Sequence, residues 1–309
     1  MRSANNAGPK GARTIPDIDE SLVARLLATQ FPDWAALPLA RISPGGWDNR
    51  TFRLGTDMLV RIPSAPAYAL QIEKEQRWLP QLAPRLPLRI PEPLALGRAG
   101  HGLPWAWSVY RWLPGEAAAT GRVAALPVFA RDLAHFLAAL HRIDADGGPQ
   151  PGIDNFHRGG GLAVYDAQAR QAIELLKHRI DAAAAIMVWE RAIRSTWCYP
   201  PRWVHGDISP GNLLVVDGAL SAVIDFGQLA IGDPACDLAI AWTFFFGESR
   251  DAFHSQLELD HDTWDRGRGW ALWKALVVAA GLADAIAQDK QHCWKVIDEI
   301  LLDHRHTGN

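Results

Sequence analysis

Cysteine, basic excess and long apolar runs are what this 309-residue chain has little of. Its three cysteines, Cys198, Cys236 and Cys293, stand far apart and in no CxxC pair. That spacing excludes a disulfide framework and a cysteine zinc site, and fits a reducing compartment such as the cytoplasm. Lysine and arginine number 31 against 34 aspartates and glutamates, a formal charge of -3. A nucleic-acid partner is therefore not expected, and a neutral or cationic small ligand suits the chain better. The most apolar window, residues 238–247, is far too short to span a bilayer, and the run 271–287 is broken by Lys274 and Asp284, so no membrane partner is expected. Residues 1–16 are polar and rich in small side chains, without the apolar run of a signal peptide, and read as a flexible tail.

What is present is material for a core. Hydrophobic residues make up 49% of the chain and 14 of its residues are tryptophan, which argues against disorder and supports two lobes. Asp17 or Asp19 can cap a helix whose apolar positions Leu22, Val23, Leu26 and Leu27 share one face. Three β-like runs follow, at 39–43, 50–54 and 58–62, separated by turn formers and reading as an antiparallel meander. Pro66 opens a helical stretch over 68–82, before β-like segments near 93–96 and 107–112. From 124 to 143 the period becomes helical, with Leu126, Phe129, Leu133, Phe136, Leu137 and Leu140 on one face. Further helices are expected at 166–180, 181–197, 234–246, 263–288 and 291–304, with β pieces only around Trp203, 213–216 and 222–224. The fold class is α+β, an α+β lobe ahead of a mainly helical one, with no internal repeat.

The chemistry lies in two short stretches: His205-Gly206-Asp207-Ile208-Ser209-Pro210-Gly211-Asn212 and, after a β-like hairpin, Ile224-Asp225-Phe226-Gly227. Phosphoryl transfer needs an acceptor hydroxyl held in line, a carboxylate to take its proton, and oxygen ligands for magnesium on the phosphates. Four residues separate Asp207 from Asn212, as in the kinase template, and Asp225-Phe226-Gly227 matches its DFG literally. Asp, Asn, Gly and Pro are also ordinary turn residues, and either stretch alone fits a turn. Together, in this order and at this separation, they point to a kinase.

On these residues the chain resembles the aminoglycoside phosphotransferase family, which includes macrolide and metabolite kinases and whose fold is similar to that of protein kinases. The resemblance rests on VHGDISPGNLLV at 204–215 and VIDFGQLAIGDPACDLA at 223–239, and spans roughly residues 20–300. It implies a two-lobed fold: an N-terminal antiparallel sheet with a helix, binding nucleotide, over 17–112, and a larger mainly helical lobe for catalysis and acceptor binding over 113–309. By the same resemblance Asp207 is the base, Asn212 and Asp225 are the Mg2+ ligands, and ATP or GTP is the donor. His205 and Gly206 would shape the catalytic loop, and Asp233 and Asp237 would brace it or cap the following helix. Ser209 stands where many relatives have histidine, a side chain with no chemical step assigned to it.

In the first lobe, Ser43-Pro44-Gly45-Gly46-Trp47-Asp48-Asn49 lies between two β runs, where Gly45, Gly46 and Asn49 would bring backbone amides to phosphates. It is not a Walker A loop, and a plain hairpin fits the same residues. Arg61 occupies the strand position of the kinase phosphate-binding lysine. Its planar fork can pair two phosphate oxygens, although a surface ion pair is the plain alternative. Its carboxylate partner is expected to be Glu75 in EKEQRWL, with Glu73 as fallback. Tyr110-Arg111-Trp112-Leu113 would join the lobes and line a purine pocket, the backbone groups of Arg111 and Leu113 facing the base and the bulk of Tyr110 biasing the choice of purine. A buried strand-end aromatic is the alternative for Tyr110.

Between 248 and 265 stand six acidic residues against Arg250 alone. A cationic acceptor suits that field, but a solvated helix face suits it better. The implied function is transfer of the γ-phosphate to a hydroxyl of an antibiotic, aminoglycoside or macrolide, or a similar compound. A metabolite kinase acting on a sugar, amino alcohol or homoserine-like acceptor is the alternative, and a catalytically silent nucleotide-binding module, which Arg61 favours, comes behind it. A protein kinase is disfavoured, because few residues separate Asp225-Phe226-Gly227 from Gly232-Asp233-Pro234 and no APE follows.

Overall fold

The computed structural model describes residues 17–43, 48–283 and 287–307. The expected tail at 1–16, and Gly45 and Gly46, lie outside them. Two compact units emerge: one takes in the residues up to Gln76 together with Glu92–Trp112, the other Arg77–Pro91 and everything from Leu113 onward.

In the first unit, helix α1 (Glu20–Gln30) starts at Asp19, whose carboxylate accepts from the Leu22 amide at 2.8 Å. Strands β1 (Leu39–Arg41), β2 (Asn49–Leu54) and β3 (Met58–Pro63) form the expected meander. Helix α2 (Pro66–Leu82) then leads to β4 (Pro93–Gly97) and β5 (Trp107–Arg111), and β5 inserts beside β3 to give the antiparallel order β1-β2-β3-β5-β4. Side chains alternate across this sheet. Phe52, Leu54, Val60, Ile62, Trp107 and Val109 bury against Leu22, Val23, Leu26 and Leu27 of α1. The register sets Arg61 opposite Ser108 and Leu59 opposite Tyr110, so Arg61, Ser108 and Tyr110 share the other face.

In the second unit, β6 (Glu116–Ala117) precedes α3 (Leu126–Arg142), a long helix with Phe129, Leu133, Phe136, Leu137 and Leu140 buried. Helices α4 (Asp166–Leu176) and α5 (Ala182–Arg194) follow, then four short strands: β7 (Arg202–Val204), β8 (Leu213–Val216), β9 (Ala219–Val223) and β10 (Ala230–Gly232). Strand β8 pairs with β6 and β9, and β7 with β10. Helices α6 (Ile240–Thr243), α7 (Glu248–His254), α8 (His261–Ala279) and α9 (Ala287–Thr307) complete the unit. Among the described residues, no helix is long and apolar enough to cross a membrane.

Three expectations differ from this architecture. The helix expected over 234–246 is a 3-10 segment, Pro234–Ala239, followed by the single turn of α6. Asp233 caps the Ala235 amide at 3.0 Å, and the Asp237 carboxylate is committed to another segment's backbone, which holds the tighter winding. Strand β10 was not expected, since three residues carry no readable period. Residues 77–91 group with the second unit rather than the first, because Trp78 meets Trp203 edge-on at 4.9 Å and Arg89 accepts from the Val223 amide at 3.0 Å.

Candidate active site

Strand β7 ends at Val204 and the next residues turn back on a buried carboxylate. Asp237, fully buried, accepts from the amides of His205 and Gly206 at 2.8 Å each. Burial pushes the Asp237 carboxyl above its ordinary value, while His205, those two amides and the charge of Arg158 pull it down. Gly206 has φ of 85°, and a Cβ there would sit 2.6 Å from the Gln228 carbonyl oxygen, so the turn requires glycine. The His205 ring is buried edge-on against Phe226 at 4.5 Å. Its Nε2 donates to the Ile224 carbonyl at 3.0 Å and its Nδ1 accepts from the Asp207 amide at 3.1 Å, which sets the Nε2–H tautomer.

This turn presents Asp207 at the surface. Asn212 Nδ2 donates at 2.9 Å to both the Asp207 carbonyl and its carboxylate Oδ2, so the amide holds the acid from the far side of the loop. Asn212 is fixed through its backbone too: its amide donates to the Ser209 carbonyl and its carbonyl accepts from Ile224, each at 2.9 Å. The second of these bonds delivers Asp225, half-buried and with φ of 67°, beside the loop. A non-glycine residue in that left-handed region costs about 1 kcal/mol and persists where its surroundings enforce it. Donor chemistry at Asn212 and Asp225 is one amide oxygen and one carboxylate, hard ligands that fit Mg2+ and not zinc. Among the described residues no group of three or more His, Cys, Asp or Glu makes a self-sufficient metal site.

The sequence model of the phosphotransferase enzyme family matches residues 39–270. The chain belongs to that family. It is a phosphotransferase, with the kinase-like fold of its solved relatives. It is similar to the GDP and kanamycin complex of APH(2")-IIia, at 20% identity and TM-score 0.65 over 92% of this chain and 99% of that one. It is similar as well to the streptomycin-ATP-APH(2")-IIa ternary complex, at 18% identity and TM-score 0.59 over 92% and 96%. Macrolide 2'-phosphotransferase MphH from Brachybacterium faecium is 22% identical, with TM-score 0.56 over 90% and 98%. No curated protein matches the chain.

The remaining candidate residues of this phosphotransferase lie as follows. Arg61 is paired with Glu75, Nη1 lying 3.1 Å from Oε1 and 3.2 Å from Oε2, both residues buried. Glu73 is exposed. Asn49 is buried on β2 opposite Pro63, and among the described residues its Oδ1 meets no donor. Arg111 is tied to Glu92, its amide donating to the Glu92 carbonyl at 2.9 Å and its Nε to the Glu92 carboxylate at 2.7 Å. Leu113 is buried against Leu214, Ala222 and Ile224 in an apolar cluster of the second unit. In the acidic run five residues are exposed, whereas Asp265 is buried against Arg191 at 2.5 Å. Trp242 and Phe245 are core and Phe246 is exposed.

Two side-chain contacts escaped sequence reasoning. Tyr110, 35 residues beyond Glu75, donates its hydroxyl to that carboxylate, an encounter only the β3–β5 register could have announced. Asn155, buried in a loop, donates to the carbonyls of Arg158 at 2.9 Å and Gln228 at 3.2 Å, seating the loop against the segment that follows Asp225. Nothing in its neighbourhood along the sequence signals this.

Proposed function

We propose that this phosphotransferase moves the γ-phosphate of ATP or GTP to a hydroxyl of an antibiotic, aminoglycoside or macrolide, or of a similar small molecule. The observation that carries the reading is the Asn212 side chain donating to the carboxylate of Asp207 while the Asn212 backbone receives Ile224, the residue before Asp225. One residue thereby sets the spacing between a proton acceptor and an acid on the neighbouring loop.

Asp207 is the base. With Oδ2 held by Asn212, Oδ1 faces an acceptor hydroxyl, takes its proton, and the freed oxygen forms a bond to γ-phosphorus as the bond to the departing nucleoside diphosphate breaks. Asn212 Oδ1 and Asp225 would hold Mg2+ against phosphate oxygens, where the ion neutralises their charge. In the first unit Arg61, oriented by Glu75, is assigned to the phosphates together with Asn49. The apolar cluster around Leu113 offers a floor for a purine. Three free cysteines agree with a cytoplasmic location. Support for the acceptor class comes from the aminoglycoside and macrolide phosphotransferases among the similar structures.

The test is Mg2+-dependent ATP and GTP consumption across aminoglycosides, macrolides, amino alcohols and sugars. Acceptor-stimulated turnover that falls by about three orders of magnitude in Asp207→Ala is expected. Near-normal turnover in that variant removes Asp207 from the chemistry, and turnover only with sugars or amino alcohols replaces the antibiotic reading by the metabolite one.

A further inference from the structure

Three buried amide atoms of the first unit stand without hydrogen bonds among the described residues. Gln71 of α2 is 4% exposed, and neither its Oε1 nor its Nε2 meets a partner. Asn49 of β2 is 5% exposed, and its Oδ1 is orphaned likewise. A sealed polar atom left unpaired costs the full desolvation of that group, so three of them on neighbouring elements call for an explanation.

Their placement supplies one. Tyr68, Gln71 and Glu75 fall at i, i+3 and i+7 of α2, hence on one face of the helix. That face is pinned on both sides of Gln71: Tyr68 hydrogen-bonds the Asp48 carboxylate, and Glu75 pairs with Arg61 at 3.1 Å. Asp48 is the residue before Asn49. In the register of β2 with β3, Asn49 stands opposite Pro63 and Thr51 opposite Arg61, so Asn49 shares a sheet face with Arg61. The two pinned residues of α2 are about 10 Å apart along the helix, and Gln71 lies between them as Asn49 lies between Asp48 and Arg61.

We propose that Gln71 is a positioning residue for nucleotide binding, acting through Asn49: its amide bonds the inner edge of the Asn49 amide and so turns the outer edge, the NH2 donor, to a phosphate oxygen. This rests on the reading that Asn49 belongs to the phosphate-binding set. A phosphate only accepts, so it selects the orientation in which Asn49 donates outward and leaves its carbonyl oxygen for Gln71 Nε2. Those two atoms are among the three that are orphaned. Each amide carries an acceptor and two donor hydrogens, so the pair closes by side-chain rotation, with helix and strand in place.

The experiment titrates wild type, Gln71→Leu, Asn49→Ala and the double variant with ATP and with GTP by calorimetry, without acceptor, and melts each nucleotide-free protein. Gln71→Leu is expected to weaken both nucleotides by the same factor, about tenfold, and to raise the melting temperature, since leucine brings no unpaired polar atoms. In the Asn49→Ala background the same change is expected to cost less than about twofold, because there is no longer an amide to hold. Equal losses in both backgrounds overturn the proposal, as does unchanged affinity in Gln71→Leu. Affinity and melting temperature falling together mean a structural role and overturn it too. Should Gln71→Leu not fold, Gln71→Met, unbranched and of similar length, carries the same expectations. Wild-type protein that binds neither nucleotide overturns the functional reading itself. Tight binding that Asn49→Ala leaves unaffected overturns this proposal alone.

Discussion

Replacing Asp237 by asparagine separates what that residue does for the fold from what it does for the site. The carboxylate accepts two amides, from His205 and Gly206, at 2.8 Å each. Asparagine keeps one acceptor and turns an NH2 group toward the other amide, so one hydrogen bond to a charged group is lost and a buried N–H goes unmatched, about 2–4 kcal/mol taken alone. Against this stands the cost of keeping a charge where there is no water. The Asp237 carboxyl is raised by burial more than its partners lower it, so the ionised form already costs stability, and an amide removes that cost. The two effects oppose, and the net change at neutral pH is expected to be about 1 kcal/mol. Linkage has the same sign. A carboxyl raised in the folded state contributes stability that is full below its ordinary value and is lost as pH rises through the raised one; Asp237→Asn should lose that part of the pH dependence. Activity follows a different rule, because the loop carrying Asp207 is no longer held at both amides, and a displacement near 1 Å costs on the order of 100-fold in kcat. Thermal melting across pH, together with steady-state turnover, measures both. A variant keeping more than half its activity refutes the bracing role, and one that fails to fold refutes the opposing balance.

Other outcomes follow from the same structure. His141, buried on α3 with no partner for its Nε2 among the described residues, has a pKa lowered to about 3 by burial, Arg202 and Arg142, so the unfolded chain binds its proton first and stability falls as pH drops below the ordinary histidine value. His141→Leu is expected to remove about 2 kcal/mol of the loss between pH 7.5 and 5, measured by urea unfolding at the two values; an unchanged slope refutes it. Chelation of Mg2+ should abolish turnover yet leave the melting temperature of the nucleotide-free protein unmoved, since no three-residue metal cluster exists among the described residues. A melting temperature that drops with chelator would reveal a structural ion.

The parts of the chain that local rules govern were readable. Asp19 caps α1, Leu22, Val23, Leu26 and Leu27 make its buried stripe, and β2 and β3 flank a tight turn, because capping, period and turn chemistry act within a few residues. The pairing of Arg61 with Glu75 was readable because a strand and the next helix bring them together over 14 residues. What stayed hidden depends on distant partners. Tyr110 reaches Glu75 only through the insertion of β5 beside β3, Asp265 is buried by Arg191 from another helix, and the Arg111 amide is used by Glu92 across a loop. The 3-10 winding of Pro234–Ala239 likewise answers to a backbone 31 and 32 residues before Asp237, not to its own apolar spacing.

The His205 ring works as a ruler. An imidazole is rigid, and its two nitrogens offer a donor on one edge and an acceptor on the other, so the bonds to Ile224 and Asp207 fix how far apart two acid-bearing loops can be. A tyrosine or lysine could mark one end of that length but not both, and a smaller amide would shorten it. Tuning this enzyme for a bulkier or smaller acceptor therefore leaves position 205 untouched, because altering it would change the gauge of the catalytic centre before it changed the shape of any pocket.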